Sequence, residues 1–266
     1  MQKNKLFILI LLSIILCIIL KTSLIFLENS NILYNAKYNY TIYLSYLPQS
    51  ICLLFIIFLT YNFSIIKILK TLPKASNLNI LNAAYLYIIT FIYYLFYLAS
   101  ILFVEISLQK NYNILNYEFP VFIYKDFVVL THTIIIIPLL STLFFYHIIF
   151  YNINRHYSST KSILITLFIF ILLHIDPEHT TLELLFISIM LSYVYLKLGF
   201  WHSFLFYVFL NFNSVFITRY VFLAFKYLII KFNAYIMLIV IIFSIILLAY
   251  YFTKILTLKN MKGKIK

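Results

Sequence analysis

Carboxylates and imidazoles most often activate water or hold a metal. This 266-residue chain has few of them, seven Asp and Glu and six His. Glu28, Glu118, Asp126, Asp176 and Glu178 fall in polar stretches or at the ends of apolar runs. Glu105 closes one apolar run, and Glu183 lies one turn into another. Each reads as an interfacial charge, because burying an unpaired carboxylate is costly. His132, His147 and His202 lie in or near apolar segments and read as neutral, hydrogen-bonded packing residues. His174 stands apart: it closes Phe170-Ile-Leu-Leu-His174 just ahead of Asp176-Pro177-Glu178.

The elements that must position these residues are apolar. Hydrophobic residues make up 65% of the chain and charged residues only 10%, against about 25% in ordinary soluble domains. So few charges could not cover a fold in water. Lipid is the expected solvent, and in lipid a chain must form helices or a closed barrel. The apolar runs are long and continuous rather than alternating, which selects helices.

We therefore expect an all-α fold, a polytopic transmembrane bundle of about eight helices. Residues 1–258 form one membrane domain and 259–266 a basic cytoplasmic tail. Helix one is expected over Leu6–Leu27 as an uncleaved signal anchor, with Lys21 snorkelling near its far end. The rest are expected near Ser50–Leu69, Ile80–Val104, Phe127–Tyr151, Thr160–Ile175, Thr180–Leu198, Trp201–Ile217 or beyond, and Ala234–Leu256. Asp176-Pro177-Glu178 breaks the chain after the fifth, and Gly199 ends the sixth. The Asn- and Tyr-rich stretches 28–46 and 109–118 read as solvated loops with interfacial tyrosines.

Net charge is +13. The lysines stand singly in short loops, which argues against nucleic acid and for helix orientation by positive charge. With the N-terminus inside, thirteen cations lie inside: Lys3, Lys5, Lys67, Lys70, Lys74, Arg155, Lys161, Lys197, Lys254, Lys259, Lys262, Lys264 and Lys266. Six lie outside: Lys37, Lys110, Lys125, Arg219, Lys226 and Lys231. Both termini are expected in the cytoplasm, with only the segment before helix eight running against the bias. Cys17 and Cys52 lie in apolar runs and read as small core residues, with no disulfide framework. The Phe-, Tyr-, Ile-, Asn- and Lys-rich usage is that of an AT-rich genome. No internal repeat and no paired half-helix breaks point to a transporter.

The order of motifs from Pro138 to Asn211 resembles the CAAX-protease and bacteriocin-processing (CPBP) family of intramembrane proteases. Phe170-x-x-x-His174 closes one helix, and Leu191-Ser-Tyr-Val-Tyr-Leu-Lys-Leu-Gly199 closes the next. Phe200-Trp201 follows, and Tyr207-Val-Phe-Leu-Asn211 stands where the family has H-x-x-x-N. Pro138-Leu-Leu-Ser141-Thr142-Leu-Phe-Phe-Tyr146 stands where it has P-x-x-E-E-x-x-x-R. The resemblance implies a catalytic Glu that activates water, a His that contacts the oxyanion, and an orienting Asn. Here Ser141 and Thr142 replace both Glu, Tyr146 replaces the Arg, and Tyr207 replaces the second His. His174 and Asn211 remain as family-like catalytic positions. Ser141, Thr142, Tyr146, Phe170 and Tyr207 are expected to line the cavity.

The reading is a degenerate CPBP-type homologue in a prokaryotic cytoplasmic membrane, weakly catalytic or inactive. Its expected partners are the lipid bilayer and a hydrophobic peptide or membrane protein, in an accessory, immunity-like or regulatory role, with no cofactor. One alternative is an active, divergent endopeptidase drawing on Glu105 or Glu183. The other is an unrelated membrane scaffold or transporter.

Overall fold

Between Gly199 and Gly263 the sequence has neither glycine nor proline, so nothing local ends a helix there. The computed structural model describes residues 78–108, 127–174, 181–233 and 235–257. It also describes 50, 51, 53–61, 70 and 72, and positions 7, 8, 11, 12, 15, 18, 19 and 22. Among the described residues there is no strand.

Helix α1 covers Ile80–Leu108. It starts at Asn79, whose Oδ1 accepts the Leu81 N–H at 2.9 Å, a side-chain cap on an otherwise open helix end. Helix α2 runs unbroken from Phe127 to Asn154 but changes register along its length. It is α-helical over Phe127–Thr131, π-helical over His132–Ile136, α-helical over Ile137–Ser141, π-helical over Thr142–Phe150 and α-helical over Tyr151–Asn154. A short turn at 155–158 leads into α3, Ser159–His174, where Ser158 accepts the Ser162 N–H through its carbonyl at 3.0 Å. Helix α4 covers Thr181–Leu198 and α5 covers Phe200–Phe212. A π-helical stretch, Asn213–Ile217, joins α5 to α6, Thr218–Phe232. Helix α7 covers Tyr235–Thr257.

Gly199 makes the corner between α4 and α5 with φ of 90° and ψ of −174°, a backbone an L side chain rarely adopts. Its N–H still bonds the Tyr195 carbonyl at 3.0 Å. Asn233, with φ of 71°, makes the corresponding corner between α6 and α7. The segment carrying Arg219, Lys226 and Lys231, expected as a loop on the outer side of the membrane ahead of the last helix, is helical, because no residue in it can stop α5 from continuing.

Four stretches are long and apolar enough to cross a membrane: Ile80–Val104, His132–Asn154, Phe200–Ile217 and Tyr235–Ile255. Ser159–Ile171 and Leu184–Leu198 are shorter apolar helices. The share of each span buried sets its place. It is 72% for α2 and 11% for α7, so α2 is the central helix and α7 a peripheral one. Phe144, Phe145, Tyr146 and Phe150 of α2 are all fully enclosed.

The helix directions follow from cross-contacts. Helices α1 and α5 run parallel, because Asn79 meets His202, Tyr87 meets Phe209, and Thr90 meets Asn213. Helix α7 runs back along α1, bringing Tyr251 to Tyr85 and Met237 to Leu98 and Ala99. The expected first helix, the loops at 28–46 and 109–118, the break at Asp176-Pro177-Glu178, Cys17, Cys52, Lys21 and the 259–266 tail lie wholly or mostly outside the described residues. The described positions between 7 and 22 are helical.

Candidate functional site

The core of the bundle is built where α2, α3, α4 and α5 meet. Phe145 of α2 packs edge-on against Phe170 of α3 with ring centroids 5.0 Å apart. The two helices are antiparallel across the 155–158 turn. One turn further along each therefore places Ser141 and His174 at the same level. His174 ends α3; its side chain lies outside the described set, as do those of Glu105 and Glu183.

Helix α4 runs parallel to α2. The Tyr146 hydroxyl donates to the Ser188 carbonyl at 3.4 Å, and further along both helices Phe150 packs against Tyr195. The His147 Nδ1 lies 3.2 Å from the Tyr195 hydroxyl. Helix α5 returns antiparallel to α4, with the Ser203 hydroxyl donating to the Leu191 carbonyl at 3.2 Å. It brings Tyr207 within electrostatic reach of the Tyr146 hydroxyl, which also interacts with Ser192. Ser141, Thr142, Tyr146, Phe170 and Tyr207 are all buried. The structure thus gathers these five positions in one interior region.

The hydroxyls in this region fall into two sets. Thr90, Ser162, Ser192 and Thr218 are buried, and each donates to a carbonyl of its own helix. Ser203 donates across to α4. In contrast, Ser141 Oγ, Thr142 Oγ1, Thr166 Oγ1 and Ser188 Oγ are fully enclosed with no hydrogen-bond partner among the described residues. Serine and threonine on a helix ordinarily find the carbonyl one turn back. Four that do not, on three adjoining helices, mark a polar interior with unused hydrogen-bonding capacity. The sequence reading missed Ser188, Ser192 and Thr166. The Ser188–Ser192 spacing of four on an apolar helix was the available signal.

Asn211 has a role that only the structure reveals. Ahead of Pro138, α2 is in π register, and the Ile137 N–H reaches back five residues to the His132 carbonyl. The next bond in that register would run from residue 138 to the Thr133 carbonyl. Proline has no N–H. The Asn211 Nδ2 makes the bond instead, at 2.7 Å from α5. Asn211 thereby satisfies a carbonyl left open by Pro138, about two helical turns along α2 from Ser141. It ties α5 to α2 beside the hydroxyl cluster.

His202 is likewise structural. It is buried, its Nδ1 lies 3.0 Å from the Leu198 carbonyl, and its Nε2 accepts the Asn79 N–H at 3.3 Å. The two bonds require the Nδ1–H tautomer. They pin the start of α1 to the α4–α5 corner.

Among the described residues, no three of His, Cys, Asp and Glu are grouped to hold a metal. Serine, threonine and tyrosine hydroxyls at neutral pH donate and accept hydrogen bonds but are weak bases. This arrangement can bind a polar guest; general-base chemistry would have to come from another residue. Comparison with protein-family models, curated proteins and solved structures finds no match.

Proposed function

We propose that this chain is a polytopic membrane protein whose interior hydroxyls hold a hydrophobic, membrane-embedded peptide without cutting it. The observation that carries the reading is the set of enclosed, unpartnered hydroxyls at Ser141, Thr142 and Ser188 beside Tyr146 and Tyr207. A peptide entering a bilayer must find partners for every N–H and C=O it exposes. Hydroxyls serve as both donor and acceptor and accommodate many backbone geometries. The same positions are those at which CPBP-type proteases carry Glu, Glu, Arg and His. Their replacement by Ser141, Thr142, Tyr146 and Tyr207 keeps polarity and removes the base. Such a protein fits an accessory, immunity-like or regulatory role in a prokaryotic cytoplasmic membrane. The positive bias of the loops favours both termini inside.

A second reading is hydrolysis by a relocated carboxylate. It rests on the backbone of α4, which carries Glu183 five residues before Ser188 on a helix that contacts Tyr146.

One experiment separates these. The full chain in nanodiscs, with a photo-crosslinking amino acid at position 207, is irradiated with a biotinylated apolar peptide long enough to span the bilayer. Capture of intact peptide, lost in Ser141→Phe, supports the binding function. Cleaved peptide whose appearance requires Glu183 supports hydrolysis. Neither capture nor cleavage would sink both readings.

A further inference from the structure

We infer that the hydroxyl cluster of α2 and α4 is a permanent internal water site, held by Ser141, Thr142, Tyr146 and Ser188 in the core of the bundle. Three facts carry this. The first is burial: Ser141, Thr142, Tyr146 and Ser188 each have a relative exposure of 0%. The second is the missing partner: Ser141 Oγ and Thr142 Oγ1 bond to none of the described residues, and Ser188 Oγ has the Tyr146 phenol near it without a hydrogen bond of good geometry. The third is convergence. Tyr146 lies one turn beyond Thr142 on α2, its hydroxyl reaches the Ser188 carbonyl on α4, and the Ser188 and Ser192 side chains lie beside it, with Ser141 next to Thr142 in the chain.

A hydroxyl taken from water into an apolar interior without a partner is costly, and several together compound the cost. Buried waters occur where two to four polar groups converge, and each makes about three hydrogen bonds. Here the three enclosed hydroxyls and the acceptor side of the Tyr146 phenol supply such a set.

The local helix form fits this site. Thr142–Phe150 is π-helical, a form that is rare and concentrated at functional positions. Tyr146, in this π stretch, meets α4 at Ser188, and Thr142 stands one turn before it.

The inference concerns the same hydroxyls as the proposed function. It does not require that a peptide ever binds. If the nanodisc capture fails and the water is found, the binding function falls and the water site stands.

The test turns on a sign. Thr142→Val is nearly isosteric and removes only the hydroxyl. If Thr142 Oγ1 has no partner, valine raises the melting temperature. If it bonds an internal water, valine lowers it, by about 2–4 °C. Ser141→Ala and Ser188→Ala are expected to act in the same direction. Ser162→Ala, which loses only a bond to the Ser158 carbonyl one turn back, serves as the reference.

Radiolytic labelling in H₂¹⁸O supplies a readout independent of folding stability. Internal water activated by X-rays is expected to place ¹⁸O on enclosed neighbours such as Met190 and Leu143. The labelling should fall several-fold in the Thr142→Val, Ser188→Ala double variant. Unchanged or raised melting temperatures, or no internal ¹⁸O in the native chain, overturn the inference.

Discussion

Asn211 offers the sharpest energetic test, because its single described bond exists for a covalent reason. Pro138 cannot donate to the Thr133 carbonyl, and the Asn211 Nδ2 does so at 2.7 Å. Replacing Asn211 by Leu removes that donor from a half-buried position. Interhelical hydrogen bonds in membrane proteins average about 0.6 kcal/mol, with a maximum near 1.7. Here the carbonyl is left with no alternative partner, which adds a desolvation penalty. The expected cost of Asn211→Leu is therefore at the upper end, about 1.5–2 kcal/mol. In a Pro138→Ala background, residue 138 regains its N–H. Whether α2 keeps its π register or returns to α, the Thr133 carbonyl then finds a backbone donor. Asn211→Leu should cost only about 0.5 kcal/mol there, giving a coupling of about 1 kcal/mol. The four proteins of this cycle are compared by reversible unfolding in mixed micelles of a mild detergent and dodecyl sulfate. Additivity within about 0.3 kcal/mol would refute the reasoning.

Three further outcomes are expected. His202→Gln keeps a donor and an acceptor and should hold most of the stability, whereas His202→Leu orphans the Asn79 N–H and the Leu198 carbonyl and should cost about 1–3 kcal/mol in the same unfolding assay. Gly199→Ala should cost about 1–2 kcal/mol from backbone strain alone, since a Cβ there meets nothing within 4 Å; a neutral result contradicts the positive-φ corner. Phe144→Ala, on the central helix, should cost about 3–5 kcal/mol, while Ile242→Ala on the exposed face of α7 stays within about 0.5; equal losses would contradict the placement of these helices.

The positions of the helices were legible from their apolar runs. Pro and Gly are scarce here, five and two, and Gly199 ends α4 where expected, while Pro138 sits inside α2 and stops nothing. The apolar runs read as helices of the observed length, from Ile80 onward to within a few residues at each end. The continuation of α5 into α6 was less legible, because Arg219, Lys226 and Lys231 suggest a loop while their neighbours form a helix that packs Phe222, Phe225 and Ile229 against α1 and α7. Helix pairing is not encoded in periodicity at all when a chain is apolar on every face. The π registers of α2 were illegible for the same reason. The first of them, His132–Ile136, goes with the donor missing at Pro138 and a partner 78 residues away, at Asn211. That is also why Asn211, read from the family-like spacing as an orienting catalytic residue, shows its bond to Thr133 only in three dimensions. The motif positions Ser141, Thr142, Tyr146, Phe170 and Tyr207, picked out by their spacing, are all buried, but the hydroxyls of Thr166, Ser188 and Ser192 were lost among apolar residues.

The most direct measurement is cysteine cross-linking in native membranes, with Cys17 and Cys52 first removed. Cysteines at 141 and 174 test whether α2 and α3 converge at the hydroxyl cluster. Cysteines at 90 and 213, whose native side chains hydrogen-bond at 3.0 Å, report that the chain is folded. The expected result is efficient cross-linking of both pairs by a short reagent. Cross-linking at 90–213 with none at 141–174 would separate α3 from the cluster, and the shared interior site would be lost.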